Sequence, residues 1–224
     1  MKVTTPLPKL SVIIPVLNDS AGLRACLTQL TAEHVTGPEI EIILCDGGSH
    51  DGTLEVAQKF PLTIVHSPPG RARQMNAGAR VARGQTLLFL HADTLLPDDG
   101  CRAVIDRIES GFSMGCFDRE FSGDHPLLKI TSAWAGWRVR KTFWAYGDQA
   151  IFIRRDIFQA LGGYQRLPRF EDLDLAIRAK AHGRWTVIDS PVISDARRFR
   201  HGTLRRVLGD FLLTIAWLSG IIKK

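Results

Sequence analysis

Four short clusters carry the side chains that could do chemistry. In "LLFLHADT" an apolar run, Leu87 to Leu90, stops at His91-Ala92-Asp93, setting an imidazole and a carboxylate two residues apart. A hard divalent cation such as Mg²⁺ or Mn²⁺ takes oxygen ligands, few from protein and the rest from phosphate and water, and one Asp backed by His suits that pattern. Taken alone, Asp93 would equally suit a cap for a helix beginning near Pro97. "DGGSHDGT" sets Asp46 before Gly47, Gly48, Ser49 and Asp51. Such a segment makes a capped turn, and its leading carboxylate can also hydrogen-bond a base or a ribose. "GRARQMNAGA" gathers Arg71, Arg73, Gln74 and Asn76 at a helix start, where guanidiniums and free backbone amides attract an anion or phosphate. A solvated basic loop would read the same way. Glu171 and Asp172, followed by Asp174, sit where a loop enters a helix. Acids there complement the helix dipole, and one aimed into a cleft can serve as a general base.

The elements that must position these clusters follow from the apolar pattern. Leu10 to Val16 is a β-branched run ended by Asn18 and Asp19, both good caps for a helix in which Leu23, Cys26, Leu27 and Leu30 recur at helical spacing. Ile40 to Cys45, Leu62 to Val65 and Thr86 to His91 read as strands, with helices from about Thr53 to Phe60 and after the Arg71 loop. Apolar strands without alternation, separated by helices, predict an α/β layered fold with a mainly parallel central sheet. Ligands bind such sheets outside the carboxyl ends of the strands, which is where Asp46, Arg71 and His91-Ala92-Asp93 fall. The second half is less regular. Gly111 to Phe121 reads as a strand pair or a bent strand, and Pro126 to Trp144 as an aromatic, basic helix. Gln149 to Ile153 is a strand, and "LGGY" a helix end and turn. Phe170 to His182 is helical through Leu173, Ile177 and the stem of Lys180, and Trp185 to Ile188 is a last core strand.

The chain has 224 residues, 45% of them apolar, enough for a sizeable core. A net charge of +6 suits an anionic ligand or an anionic membrane surface and does not by itself argue for nucleic acid. Cys26, Cys45, Cys101 and Cys116 form no CxxC pair. With no secretory signal at the N-terminus, they are expected to be reduced cytosolic thiols, mostly in the core. No run reaches the roughly 20 apolar residues of a spanning helix; the nearest, Val207 to Ile222, is short and interrupted by Asp210. The expected organisation is one domain over residues 1–200 with a basic, apolar helix over 201–224 appended.

The order of the clusters is more specific than any one of them. "SVIIPVLND", "EIILCDGGSHDGT", "GRARQMNAGA", "LLFLHADT", "GDQAIFIRRDIFQALGGY" and "FEDLDLAIRAKAHG" together resemble the family 2 glycosyltransferases with a GT-A fold, from about Leu10 to Asp189. Within that family the chain looks most like the short bacterial stand-alone type. The resemblance implies transfer of a sugar from a nucleoside diphosphate donor, a UDP-sugar by preference, to an acceptor hydroxyl with inversion at the anomeric carbon. It implies that Pro15 and Asn18 line the nucleoside pocket, with Asp19 in place of a more usual Glu. Asp46 would read the base, and Arg71, Gln74 and Asn76 would lie along the ribose and diphosphate. Asp93 matches the metal-binding carboxylate of the family's DxD motif, His91 stands at that motif's first Asp, and Asp172 matches the general base of its ED motif. The departure at His91 touches ribose contact and metal choice. His201 is a further metal candidate, as GT-A enzymes often place a late His on the metal; a surface His in a basic tail is the alternative. Glu171 and Trp144 are placed on the acceptor side. The implied cofactor is Mn²⁺ or Mg²⁺.

The tail joins Arg197, Arg198, Arg200, Arg205 and Arg206 to an apolar helix, and the 126–144 stretch adds Trp134, Trp137 and Trp144 beside Arg138, Arg140 and Lys141. Tryptophan beside cations suits a membrane headgroup zone or a sugar-stacking surface. The expectation is a cytoplasmic protein held peripherally on the inner face of the cell membrane, serving a lipid or lipid-linked acceptor. Packing of the same faces on the core or across a homodimer is the alternative. Two rival functions are weaker. Nucleotidyl transfer would call for a Gly-rich phosphate loop near the N-terminus, and "SVIIPVLND" has no glycine. A non-catalytic nucleotide- or lipid-binding module would not need both Asp93 and Asp172. Nucleic acid is not an expected partner.

Overall fold

The structure, a computed structural model, describes residues 7–32, 39–123 and 126–196, together with 209, 213, 214, 216, 217 and 219. The elements run β1 (Leu10–Val16), α1 (Ser20–Ala32), β2 (Ile40–Asp46), α2 (Thr53–Ala57), β3 (Thr63–His66), α3 (Arg71–Val81), β4 (Thr86–Phe89) and β5 (Thr94–Leu95). They continue with α4 (Gly100–Glu109), β6 (Met114–Phe121), α5 (Pro126–Thr142), β7 (Phe152–Arg154), α6 (Arg155–Ala160), α7 (Glu171–Ala179) and β8 (Trp185–Ser194), with short 3-10 turns at Gly147–Gln149 and Lys180–His182. Among the described residues the eight strands form one sheet in the order β3-β2-β1-β4-β7-β6-β8-β5.

The four strands of the N-terminal half lie side by side and parallel, as their patterning predicts. β1 is buried along its whole length because helices cover both faces: Val12 and Ile14 pack with Leu23, Leu27 and Val104, and Ile13 packs with Met75, Ala79 and Phe89. This double burial removes the period-2 signal from the sequence, and each fully buried aliphatic side chain contributes about 1.5–3 kcal/mol. All four cysteines are buried thiols, and burial pushes Cys26 and Cys45 up to about 12.

The second half departs from the expectation in ways that have physical reasons. Of the two alternatives for Gly111 to Phe121, the bent strand is the one found: β6 is a single strand with a register shift between Phe117 and Asp118. β7 starts later than expected, at Phe152, because Gly147–Gln149 turns in a 3-10 helix first. It is also antiparallel to both of its neighbours, β4 and β6. β8 runs on past Ile188 to Ser194, pairing with the bent half of β6 and then with β5. α7 buries Leu173, Leu175, Ala176 and Ala179, whereas Ile177 is 39% exposed, so the expected Leu173–Ile177 face is rotated toward Leu175 and Ala176. No helix among the described residues is long and apolar enough to cross a membrane.

Candidate active site

The parallel strands β1, β2, β3 and β4 end along one edge of the sheet. Val16 and His66 flank Asp46 in register on either side of it. Asp46 is 1% exposed and folds the chain after β2 into a turn: Gly48 N–H donates to its Oδ2 at 2.9 Å, and Ser49 N–H reaches both carboxylate oxygens at 3.2 Å. The His66 Nδ1 stands 3.6 Å from Oδ2. Burial pushes this carboxyl up, but the hydrogen bonds from Ser49 and Gly48 outweigh it and hold it below the ordinary value. A carboxylate held below its ordinary range therefore ends β2. His66 is a neighbour the sequence reading missed, since an exposed His at a strand end carries no signal of its own.

Above the end of β1, Asn18 adopts φ 52 and accepts from His50 N–H at 2.8 Å, while its own N–H donates to Ser49 Oγ at 2.9 Å. Asn18 thus ties the β1 and β2 loops together. Asp19 caps α1, accepting from Gly22 N–H at 3.0 Å. Pro15 is buried within β1 opposite Cys45. Arg71 is exposed at the first position of α3. Gln74 and Asn76 turn inward. Gln74 is 3% exposed, and its amide donates to the Val16 carbonyl at 2.7 Å and the Cys45 carbonyl at 2.8 Å. Asn76 bridges to the Tyr164 backbone. Both residues hold the pocket walls through their amide groups. A Cβ on Gly78 would meet Cys45 Sγ at 2.5 Å and Ile13 at 2.6 Å, so glycine is what lets α3 lie this close to the sheet.

After β4 the chain turns sharply. Thr94 N–H donates to the His91 carbonyl at 3.1 Å, and Asp195 N–H donates to the Asp93 carbonyl at 3.0 Å. The end of β8 therefore fixes the height of Asp93. α4 begins only at Gly100 after Asp99, so Asp93 is not its cap. Asp93 is partly exposed, and its Oδ1 accepts from the Thr94 hydroxyl at 3.3 Å. His91 is 9% exposed and lies against Gly147: a Cβ there would stand 2.6 Å from the ring Nε2 and 3.3 Å from Asp172 Oδ2. Only glycine leaves room for an imidazole and a carboxylate to share this corner.

α7 delivers Asp172. Phe170, at φ 64, turns the chain into the helix. Asp172 Oδ2 accepts from Gly147 N–H at 2.6 Å, and Oδ1 accepts from Leu173 N–H at 2.7 Å. Burial, with the neighbouring charge of Glu171, raises its carboxyl to about 6 despite these two hydrogen bonds. The residue as a whole is partly buried. Glu171 is 6% exposed beside it. The structure thus brings His91, Gly147 and Asp172 to one corner, with Asp93 two residues beyond His91, Asp46 at the end of β2 and Asn18 after β1.

The Gly147 turn has its own support, which the sequence reading passed over by starting a strand at Gln149 and leaving Gly147 and Asp148 unassigned. Arg119 pairs with Asp148 at 2.6 Å, and fully buried Gln149 accepts from Arg138 at 3.1 Å. Arg138 also donates to the Trp144 carbonyl, which fixes half-buried Trp144 through its backbone, and lies under the Tyr146 ring at 4.3 Å. The tail reaches this wall: Thr214 Oγ1 stands 2.9 Å from the Tyr146 hydroxyl, and Trp217, 4% exposed, packs 5.6 Å from the Phe170 ring. His201, Arg197, Arg198, Arg200, Arg205 and Arg206 lie outside the described residues, as does the expected boundary at 200/201.

Among the described residues no three His, Cys, Asp or Glu side chains converge into a metal cage. The donor set here is a single partly exposed carboxylate, Asp93, which fits a hard cation that draws its other oxygens from phosphate and water.

Comparison with known proteins agrees with this architecture. The family model "Glycosyl transferase family 2" matches residues 11–162. A PGL/p-HBAD biosynthesis glycosyltransferase of Mycobacterium bovis is 32% identical over 76% of this chain and 69% of its own. The undecaprenyl-phosphate 4-deoxy-4-formamido-L-arabinose transferase of Aeromonas hydrophila is 29% identical over 70% of this chain and 52% of its own. Among solved structures, the mannosyltransferase PcManGT of Pyrobaculum calidifontis, in complex with GDP-Man and Mn²⁺, superposes with a TM-score of 0.69 at 20% identity. It covers 88% of this chain, which spans 59% of that one. S. aureus TarS 1-349 with UDP-GlcNAc superposes at 0.67 and 17% identity, over 84% of this chain and 59% of its own. These structures share the GT-A fold expected from the sequence, and this chain spans about three fifths of their length. The chain belongs to glycosyl transferase family 2.

Proposed function

We propose that this protein transfers a glycosyl group from a nucleoside diphosphate sugar, a UDP-sugar by preference, to an acceptor hydroxyl with inversion, and that Asp172 is the general base. The observation that carries the reading is Asp172 itself: a carboxyl pinned at both oxygens, poised at about 6, and meeting His91 over Gly147. A base poised near the working pH is ionised when needed and still accepts a proton with useful driving force. The acceptor O–H would give its proton to Asp172 as its oxygen bonds the anomeric carbon and the bond to the diphosphate breaks on the opposite face. A single displacement of this kind needs no second carboxylate as nucleophile.

Asp46, held by backbone N–H groups at the end of β2, would accept from an N–H of the base, with Asn18 and Pro15 bounding the same pocket. Arg71, exposed at the start of α3, would approach the diphosphate. A divalent ion, Mn²⁺ or Mg²⁺, held by Asp93 would offset the negative charge of the departing diphosphate. His91 is proposed to orient the ribose or the acceptor by a hydrogen bond and not to bind metal, because its ring faces Gly147. Glu171 and Trp144 wall the acceptor side. A lipid or lipid-linked acceptor at a membrane surface is supported by Ile130, Trp134 and Trp137, which are 62%, 40% and 61% exposed on α5 beside Lys129 and Lys141. The name of the Aeromonas relative, a transferase acting with undecaprenyl phosphate, supports the same acceptor class.

The test is turnover of UDP-sugars and GDP-sugars by wild type and Asp172→Asn. The proposal expects the variant to bind nucleotide normally and to turn over about 10²–10⁴-fold more slowly. Equal turnover by both proteins would remove Asp172 from the role.

A further inference from the structure

Asp172 is held between two turns with unusual backbone, and a third segment touches both of them. Phe170, the residue before Glu171, takes φ 64, and Ala150, which closes the Gly147–Gln149 turn, takes φ 46. The left-handed region is uncommon for any residue with a side chain and is an outlier for one as bulky as Phe. A residue stays there only where its surroundings hold it. Phe170 leads the chain into α7, whose second residue is Asp172, and Gly147 N–H grips that carboxylate at 2.6 Å. A small rotation at either turn would part the two.

The C-terminal segment supplies a contact to each turn. The buried Trp217 sets its ring 5.6 Å from that of Phe170, and the buried Thr214 sets its hydroxyl 2.9 Å from that of Tyr146. Thr214 and Trp217 are helical and three residues apart, so they share a face. Tyr146 immediately precedes Gly147 and is the hub of its turn. Its N–H donates to Gln149 Oε1 at 3.3 Å, its carbonyl accepts from Gln149 N–H at 2.9 Å, and its ring lies 6.4 Å from that of Phe170. Burial holds the Tyr146 phenol above its ordinary value, so it meets Thr214 as a neutral hydroxyl.

We propose that Thr214 and Trp217 are positioning residues for Asp172: acting through Tyr146 and Phe170, they fix the two turns between which the Gly147–Asp172 hydrogen bond is made. The effect on the rate rests on Asp172 being the general base; the effect on its carboxyl does not.

The Gly147 N–H favours the ionised carboxylate, so loosening either turn should raise the Asp172 carboxyl above about 6. A hydrogen bond to a charged group is worth about tenfold in the ionisation constant, or about one pH unit. The other groups that face Asp172 are Glu171, Asp148, the Tyr146 and Tyr164 phenols, and His91 across Gly147. Variants at 214 and 217 leave all of them in place.

The test follows the Asp carboxyl signals of the ¹³C-labelled full chain by NMR as pH is varied, with the Asp172 signal identified by its absence in Asp172→Asn. Wild type is compared with Thr214→Val, Trp217→Ala, the double variant and Trp217→Phe. The expected result is a midpoint near 6 in wild type, raised by about one pH unit in the double variant and restored toward wild type in Trp217→Phe. The acid limb of kcat should move with it, while Mn²⁺-dependent UDP binding stays unchanged. Thr214→Val, which removes a single hydroxyl, carries the test with a smaller shift in the same direction if the double variant does not fold. Variants that lose Tm but keep the wild-type midpoint would overturn the proposal, since a merely structural contact lowers stability alone. A midpoint that moves while the limb of kcat does not would uphold the positioning and remove Asp172 as base. A limb near 6 that vanishes in Asp172→Asn but stays unmoved in the positioning variants would do the reverse.

Discussion

Replacing Asp172 by Asn should change both the rate and the stability of the protein in a pH-dependent way that can be calculated in advance. Its carboxyl is raised from 3.8 to about 6 in the folded protein. The folded state therefore holds this proton more tightly than the unfolded state. Its contribution to stability is full below pH 3.8 and is lost as pH rises through 6. Of the roughly 3 kcal/mol that the whole shift represents, about 1.4 kcal/mol is lost between pH 5 and pH 8. Urea unfolding of wild type and Asp172→Asn at those two pH values should show the difference between the proteins moving by about that amount, in the direction of a relatively weaker wild type at pH 8. The substitution also faces an NH₂ group toward Gly147 or Leu173 N–H. That fixed cost is independent of pH and cancels in the comparison. In the rate, the proposed base is the ionised form, so wild-type kcat should fall tenfold per pH unit below about 6. The variant should lose both the plateau and this limb. An acid limb near pH 4 in wild type, or a limb at 6 that survives in Asp172→Asn, would refute the reasoning.

Other perturbations follow from the same geometry. Gly147→Ala would push a methyl group into the His91 ring and against Asp172; it should cost about 1–3 kcal/mol of stability by overpacking and lower kcat more than it raises nucleotide Kd. Gln74→Ala leaves the Val16 and Cys45 carbonyls without their side-chain donor and should cost about 2–3 kcal/mol in chemical denaturation. Asp148→Ala leaves Arg119, 10% exposed, without its acid, at about 3–5 kcal/mol, readable as a lowered Tm. Trp217→Ala removes a buried ring from Phe170 and should cost about 3 kcal/mol, with the acceptor KM rising more than the donor KM.

How much of this was readable beforehand depends on where the physics is local. β1, β2 and β4 are largely apolar without alternation because both of their faces are covered, and such a run followed by a carboxylate announces the ligand edge of a parallel sheet. Asp46 and Asp93 could be found in this way, whereas Asp172 was singled out as an acid where a loop enters α7. β8 could not: its outer half passes through Asp189, Ser190 and Pro191, and it is a strand only because β6, far away in sequence, bends to pair with it. Gln74 and Asn76 were legible as polar residues at a helix start, but their direction was not. Each serves a backbone group from another element, Val16, Cys45 or Tyr164, and no local pattern encodes such a partner. Gly147 was hidden for the same reason. It matters because His91 and Asp172, from two distant segments, meet over it.

The account rests most directly on nucleotide bound at Asp46 with a divalent ion at Asp93, and a calorimetric titration measures that. Wild type and Asp93→Ala would each be titrated with UDP and with GDP, with and without Mn²⁺. The account predicts Mn²⁺-dependent binding of UDP more tightly than GDP in wild type, lost by at least about tenfold in the variant, the scale of removing one charged ligand contact. Binding that ignores Mn²⁺ and the loss of Asp93, or no binding of either nucleotide, would contradict it.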